Sequence, residues 1–82
     1  MNAKILKLGK ELFNGEAVRI VVPAIEGEMC LLQNHISIVT ALKKGYLKVY
    51  RPMVERPVSF AIERGVCSFS DNSAIFIVET AA

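Results

Sequence analysis

A nucleophile beside a base is the simplest chemistry a short chain can carry, and few residues here could supply it. His35 is the sole histidine, and Cys30 and Cys67 are the two cysteines. A catalytic pair would have to join one of these thiols to His35, with a further group holding the imidazole in place. No spacing in the sequence supplies that third group. The plainer reading makes both cysteines reduced, buried packing residues and His35 a corner-filling loop side chain. Structural zinc takes about four Cys or His ligands in paired spacings, and three such residues exist in the whole chain. No glycine-rich loop followed by Lys-Ser or Lys-Thr is present to cradle a phosphate. The expectation is no catalytic residue, no metal ligand and no cofactor.

Binding chemistry is better represented. Tyr46, Lys48 and Tyr50 alternate along one stretch, next to Lys43 and Lys44. Stacking aromatics beside cations are how small β-barrels hold single-stranded nucleic acid, and that is the alternative function for this chain. Against it, ten Lys+Arg and eight Asp+Glu leave a net charge of only +2, with the signs interleaved as on an ordinary solvated surface. A protein-docking role draws on a different feature. Ala17 to Pro23 is apolar on both alternating faces except for Arg19, and Ala74 to Val78 is apolar on both faces throughout. A domain this small cannot hide all of that surface, so a partner is expected to cover some of it.

The elements that position these residues are strands. Ala3–Leu8, with its lysines, reads as an edge strand, and Leu12-Phe13 as apolar anchors before an Asn14-Gly15 turn. Val18, Ile20 and Val22 alternate with Ala17, Arg19 and Val21, and Pro23 should end that strand for want of an N–H. Glu26-Gly27-Glu28 reads as a turn, Met29–Leu32 as a short buried strand, and Gln33-Asn34-His35 as a polar corner. Strands follow over Ile36–Leu42, Tyr46–Arg51, Val58–Ile62, Val66–Phe69 and Ala74–Val78, with Ser70–Ser73 as a turn. Eight or nine short strands at this spacing predict an all-β sandwich or small barrel. Apolar residues make up 52% of the 82-residue chain, enough for one core and too short for two, so residues 1–82 are expected to form a single domain. The charges at Lys4, Lys7, Lys10 and Glu11 break up the apolar residues where a leader's core would lie, so no secretory leader is expected, and no apolar run approaches membrane-spanning length. Any contact with a membrane would be indirect.

Phe13-Asn14-Gly15, Gly27-Glu28-Met29, His35, Thr40-Ala41-Leu42-Lys43-Lys44-Gly45 and Val78-Glu79-Thr80-Ala81 stand in the order and spacing of one family. In these stretches the chain resembles the N-terminal β-sandwich domain of the epsilon subunit of F-type ATP synthases. Cys30 stands where that family usually has glycine, Gln33 and Ser37 replace the prolines around the histidine, and Glu63-Arg64-Gly65 replaces Ser-Gly-Gly. The resemblance implies a flattened sandwich or barrel of two mostly antiparallel five-stranded sheets. It also implies a non-catalytic place in the central stalk of the rotor, with the gamma subunit and the ring of c subunits as partners. No nucleic acid partner is implied, the isolated chain would be a monomer, and the complex would lie on the cytoplasmic face of a bacterial inner membrane. Glu26, Gly27, Glu28, Met29, Asn34, His35 and Thr40 are the residues it implies for those contacts. The Glu28 loop and the His35 corner are expected at one end of the domain. The family's C-terminal helical hairpin is expected to be missing.

Overall fold

The computed structural model describes residues 1–80 and contains nine strands. They are β1 (Asn2–Lys7), β2 (Lys10–Glu16), β3 (Arg19–Ala24), β4 (Gly27–Leu32), β5 (Ile38–Leu42), β6 (Gly45–Tyr50), β7 (Val58–Ile62), β8 (Arg64–Ser70) and β9 (Ser73–Glu79). The hydrogen-bonded order is β2-β1-β9-β8-β5-β3-β6-β7, and β4 lies on β3. The β5–β3 link is the single pair Ala24–Leu42. The path therefore folds at that point into a five-stranded layer (β2-β1-β9-β8-β5) and a four-stranded layer (β4-β3-β6-β7). The layers meet again at their far edges, where the Phe13 ring of β2 stands edge-on to Phe60 of β7 at 6.2 Å between centroids. Nine strands, one fewer than two sheets of five, make this all-β sandwich.

Alternation builds the core. Ala3 and Ile5 of β1, Ile20 and Val22 of β3, Leu47 and Val49 of β6, Cys67 and Phe69 of β8, and Ala74, Phe76 and Val78 of β9 are all buried. Each set is spaced by two, as a pleated strand requires if one face is to be dry. Among the described residues no polar or charged side chain is buried with them, so the side chains of the interior are held by apolar burial and close packing.

Several local expectations change. β1 is internal, flanked by β2 antiparallel and β9 parallel. Lys4 alternates with inward-facing Ala3 and Ile5, so it marks a face and not an edge, and Lys7 closes the strand at the turn into β2. Asn14-Gly15 lies inside β2, with Gly15 opposite Ala3. The reversal occurs instead at Leu8-Gly9, both at positive φ. β3 runs on through Pro23 to Ala24, and Pro23 is tolerated because it stands opposite Glu28 near the end of the ladder. β4 begins at Gly27 and buries only Leu31 fully, because it pairs with β3 alone and its other edge is open. The Ser70–Ser73 turn holds: Asp71 and Asn72 both take positive φ, the geometry of a two-residue hairpin matched to strand twist.

The two cysteines part company. Cys67 points into the core, where burial pushes its thiol up to about 11. Cys30 is exposed, which corrects the expectation of two buried thiols. It sits between inward-facing Met29 and Leu31, so alternation turns it out to solvent. Iodoacetamide at neutral pH is expected to modify Cys30 in the native protein and to reach Cys67 only in denaturant, as peptide mass mapping would show. Cys67 also sets an alkaline limit. The unfolded thiol releases its proton near pH 9 and the folded one near 11. Stability is therefore full below about pH 9 and falls by up to about 2 kcal/mol as the pH rises to 11. Urea unfolding at pH 8, 9.5 and 11 should show a shallower decline for Cys67→Ala than for the parent chain.

Candidate docking surfaces

The residues proposed from sequence for partner contact do not form one cluster. Glu26 lies in the β3–β4 turn, Gly27 (φ 135°) opens β4, and Glu28 projects exposed beside them. This turn is tied to the start of the β5–β6 connection: Ile25 N–H donates to the Ala41 carbonyl at 2.9 Å and Lys43 N–H to the Pro23 carbonyl at 3.0 Å. Asn34 and His35 lie beyond the other end of β4, roughly 20 Å away at about 3.3 Å per residue. There they meet the β8–β9 turn. Asn34 N–H donates to Asn72 Oδ1 at 2.6 Å and Asn72 Nδ2 donates to Asn34 Oδ1 at 3.0 Å. The His35 ring stands edge-on to Phe69 at 5.8 Å and its Nδ1 donates to the Ile36 carbonyl at 2.7 Å.

The Glu28 loop and the His35 corner are thus at opposite ends of the molecule, which corrects the expectation that they share one. A β-strand is a straight spacer, and β4 separates them by its full length. Met29 packs against the core. Thr40 is half-buried and pairs in register with inward-facing Cys67, its hydroxyl bonded to the Ala41 carbonyl at 3.4 Å. Neither presents an outward contact.

What the geometry does bring together is an apolar row on the outer face of the five-stranded layer. Ala41 pairs with Val66, Val66 with Ile77, and Ile77 with Leu6, so the row crosses β5, β8, β9 and β1. Val66 and Ile77 remain 48% and 53% exposed. Val39 and Ile75 extend the face with Ser68 between them in register, and Val39 is 79% exposed. At the β1–β2 turn the face deepens into a cleft of about 840 Å³ lined by Leu6, Leu8, Val66, Ile77 and Val78 among others. The sequence signal for this row was the double-sided apolarity of Ala74–Val78. Its neighbours Val66 and Leu6 could not be joined to it without the strand order.

The outer face of the other layer is different in kind. Tyr46 is 62% exposed, but the Tyr50 ring is half-buried with the Arg19 guanidinium 4.0 Å above its centre. A stacking platform needs open rings, and one of these two is already covered. Among the described residues no group of three or more His, Cys, Asp or Glu is placed to hold a metal ion, and no helix is long and apolar enough to cross a membrane.

Comparison with known families places residues 1–82 in the family described as ATP synthase, Delta/Epsilon chain, beta-sandwich domain. The chain belongs to that family. An ATP synthase epsilon chain from Rickettsia bellii is 33% identical over 82 residues, covering 99% of this chain and 76% of the relative. One from Pelagibacter ubique is 38% identical over 58 residues, covering 71% of this chain and 43% of the relative. Among solved structures, a chain from the central stalk and c-ring of the Tetrahymena thermophila mitochondrial ATP synthase aligns with a TM-score of 0.77 at 19% identity, over 95% of this chain and 62% of that one. A chain of the Euglena gracilis mitochondrial ATP synthase aligns with a TM-score of 0.80 at 21% identity, over 98% of this chain and 49% of that one. At such identities the solved structures bear on the fold, and they agree with the sandwich built above. The epsilon-chain sandwich described here therefore spans between two-fifths and three-quarters of the relatives it matches.

Proposed function

We propose that this chain is a non-catalytic central-stalk subunit of an F-type ATP synthase, folded as one domain and coupling ion flow through the c ring to ATP synthesis by way of the gamma subunit. The observation that carries the reading is the four-strand apolar row through Val66 and Ile77, on a chain of the epsilon family. A torque-bearing washer needs a stiff body and a matched surface, not a reactive centre. The close-packed, wholly apolar interior supplies the stiffness, and the row supplies a surface that desolvates on docking. In this reading gamma covers the row. The exposed Glu26–Glu28 turn faces the polar loops of the c ring, and Asn34 and His35 point away from the ring along the stalk. The subunit sits on the cytoplasmic face of the membrane through its partners, needs no cofactor, and is monomeric when isolated.

Gel filtration of this chain mixed with a gamma subunit, and then with a gamma–c-ring subcomplex, tests the assignment. Co-elution with gamma at micromolar concentration is expected, and separate elution would refute it. Glu28→Lys should leave gamma binding unchanged and weaken retention on the ring-containing subcomplex by about two- to fivefold, since one rim charge is worth only about 0–1 kcal/mol.

A further inference from the structure

A second cleft lies at the same end as the Glu28 turn, but on the opposite layer from the apolar row. It has a volume of about 360 Å³ and is lined by Glu28, Lys43, Lys44, Tyr46 and Lys48, together with Pro23 and Gly45. Three ammonium groups and one carboxylate leave this spot with a local charge of +2 at neutral pH. Among the described residues none of those four charged groups makes an ion pair. Three cations beside a single carboxylate leave a net repulsion, and an anion placed among them relieves it.

The cleft is also held in shape. Lys43 N–H is bonded to the Pro23 carbonyl at 3.0 Å. Gly45 lies so close to the proline ring that an added Cβ would stand 2.9 Å from Pro23 Cβ. Lys48 comes from within β6, opposite Val21 and Ser59 in register. The backbone of two of the lysines is thus set by a turn docked on β3 and that of the third by a paired strand, so all three stems start from fixed positions around the cleft.

We infer that this cleft is an oxyanion site that takes a phosphate group. The donor chemistry selects the class. A planar carboxylate is matched by the fork of an arginine, whereas lysines act as separate point charges suited to an oxyanion with several oxygens. No arginine lines the cleft. Tyr46 adds a phenol at the rim. The volume falls at the lower end of small-molecule sites, in keeping with a phosphate or a lipid headgroup. The inference stands independently of the rotor assignment.

Titration of the isotope-labelled full chain by NMR with inorganic phosphate and pyrophosphate, at ionic strength held constant with sodium chloride, is the test. Saturable shifts confined to the amides of Glu28 and residues 43–48 are expected, tighter for pyrophosphate than for phosphate. Lys44→Gln with Lys48→Gln should weaken binding about tenfold, and Glu28→Gln should tighten it about threefold by removing the opposing charge. Vesicles of phosphatidylglycerol and of phosphatidylcholine separate the two sources of the group. Sedimentation with the anionic vesicles alone, lost in the double lysine variant, assigns a lipid headgroup phosphate. Shifts with free phosphate and no vesicle binding assign a soluble one. Neither shifts nor vesicle binding, or shifts unaffected by the lysine substitutions, would overturn the site.

Discussion

Gly65→Ala is expected to destabilise the fold by about 2–4 kcal/mol, the largest effect of any single methyl group added to this chain. Gly65 lies in β8 with Val78 of β9 opposite it in register. A Cβ there would stand 2.5 Å from the Ile77 carbonyl oxygen and 3.1 Å from Val78 Cα. Both are backbone atoms of the neighbouring strand, so no side chain can rotate aside to make room. The strands must separate, and the ladder bonds and the Phe76 and Val78 packing behind them weaken together. A domain of this size has only roughly 4–12 kcal/mol in hand, at about 0.05–0.15 kcal/mol per residue. Thermal unfolding followed by circular dichroism should show a midpoint about 10–25 °C lower. Gly15→Ala is the control. Its added Cβ would meet only the Phe13 ring, at 3.4 Å, and its midpoint should move by no more than a few degrees. A Gly65→Ala midpoint as close to the parent as that of Gly15→Ala would show that the β8–β9 spacing is adaptable.

That contrast also shows what a strand sequence can and cannot reveal. The two-residue alternation of Leu47 and Val49, or of Phe76 and Val78, marks an inward face without any knowledge of neighbours. Those residues were legible, and with them the all-β class. Pairing was not. Lys4 and Lys7 look like edge protection until β9 is laid parallel against β1, a contact between residues more than seventy positions apart. Asn14-Gly15 carries a strong turn signal, yet pairing with Ala3 holds it extended. Cys30 looked buried because its neighbours are apolar, although simple alternation with Met29 and Leu31 turns it outward.

The candidate contacts divide along the same line. The reversal around Glu26 was legible because glycine flanked by charges rarely sits in a core, although the turn is Ile25-Glu26 and Gly27 and Glu28 already belong to β4. Asn34 and His35 were legible as a corner, and the reciprocal Asn34–Asn72 bonds show what closes it. Placing both at one end failed because it needed the direction of β4, which depends on its pairing with β3. The apolar row failed to emerge for the same reason: it is spread over four strands, each of which contributes one or two residues to it. The cleft of Lys43, Lys44 and Lys48 was half visible as a basic stretch beside tyrosines. Glu28, from a different hairpin, completes it only in three dimensions.

The row through Val66 and Ile77 carries the second large expected effect. Replacing both side chains by charges of opposite sign, Val66→Lys with Ile77→Glu, should abolish docking to gamma while sparing the fold. The two residues are paired directly across β8 and β9, so the introduced charges attract each other and offset the loss of strand propensity. Both are already about half exposed, at 48% and 53%, so little core packing is removed. On the partner side nothing compensates. An apolar surface that docks against this row would have to desolvate two charges, and residues at the centre of such a patch commonly contribute 2 kcal/mol or more each. The affinity should fall by at least a hundredfold, about 2.7 kcal/mol, in calorimetry with gamma, while the unfolding midpoint stays within about 5 °C of the parent. Ser59→Glu, on the outer face of the other layer, should change neither quantity. Docking that survives the paired substitution in a folded protein would remove the row from the interface, and with it the principal structural support for a seat on the shaft.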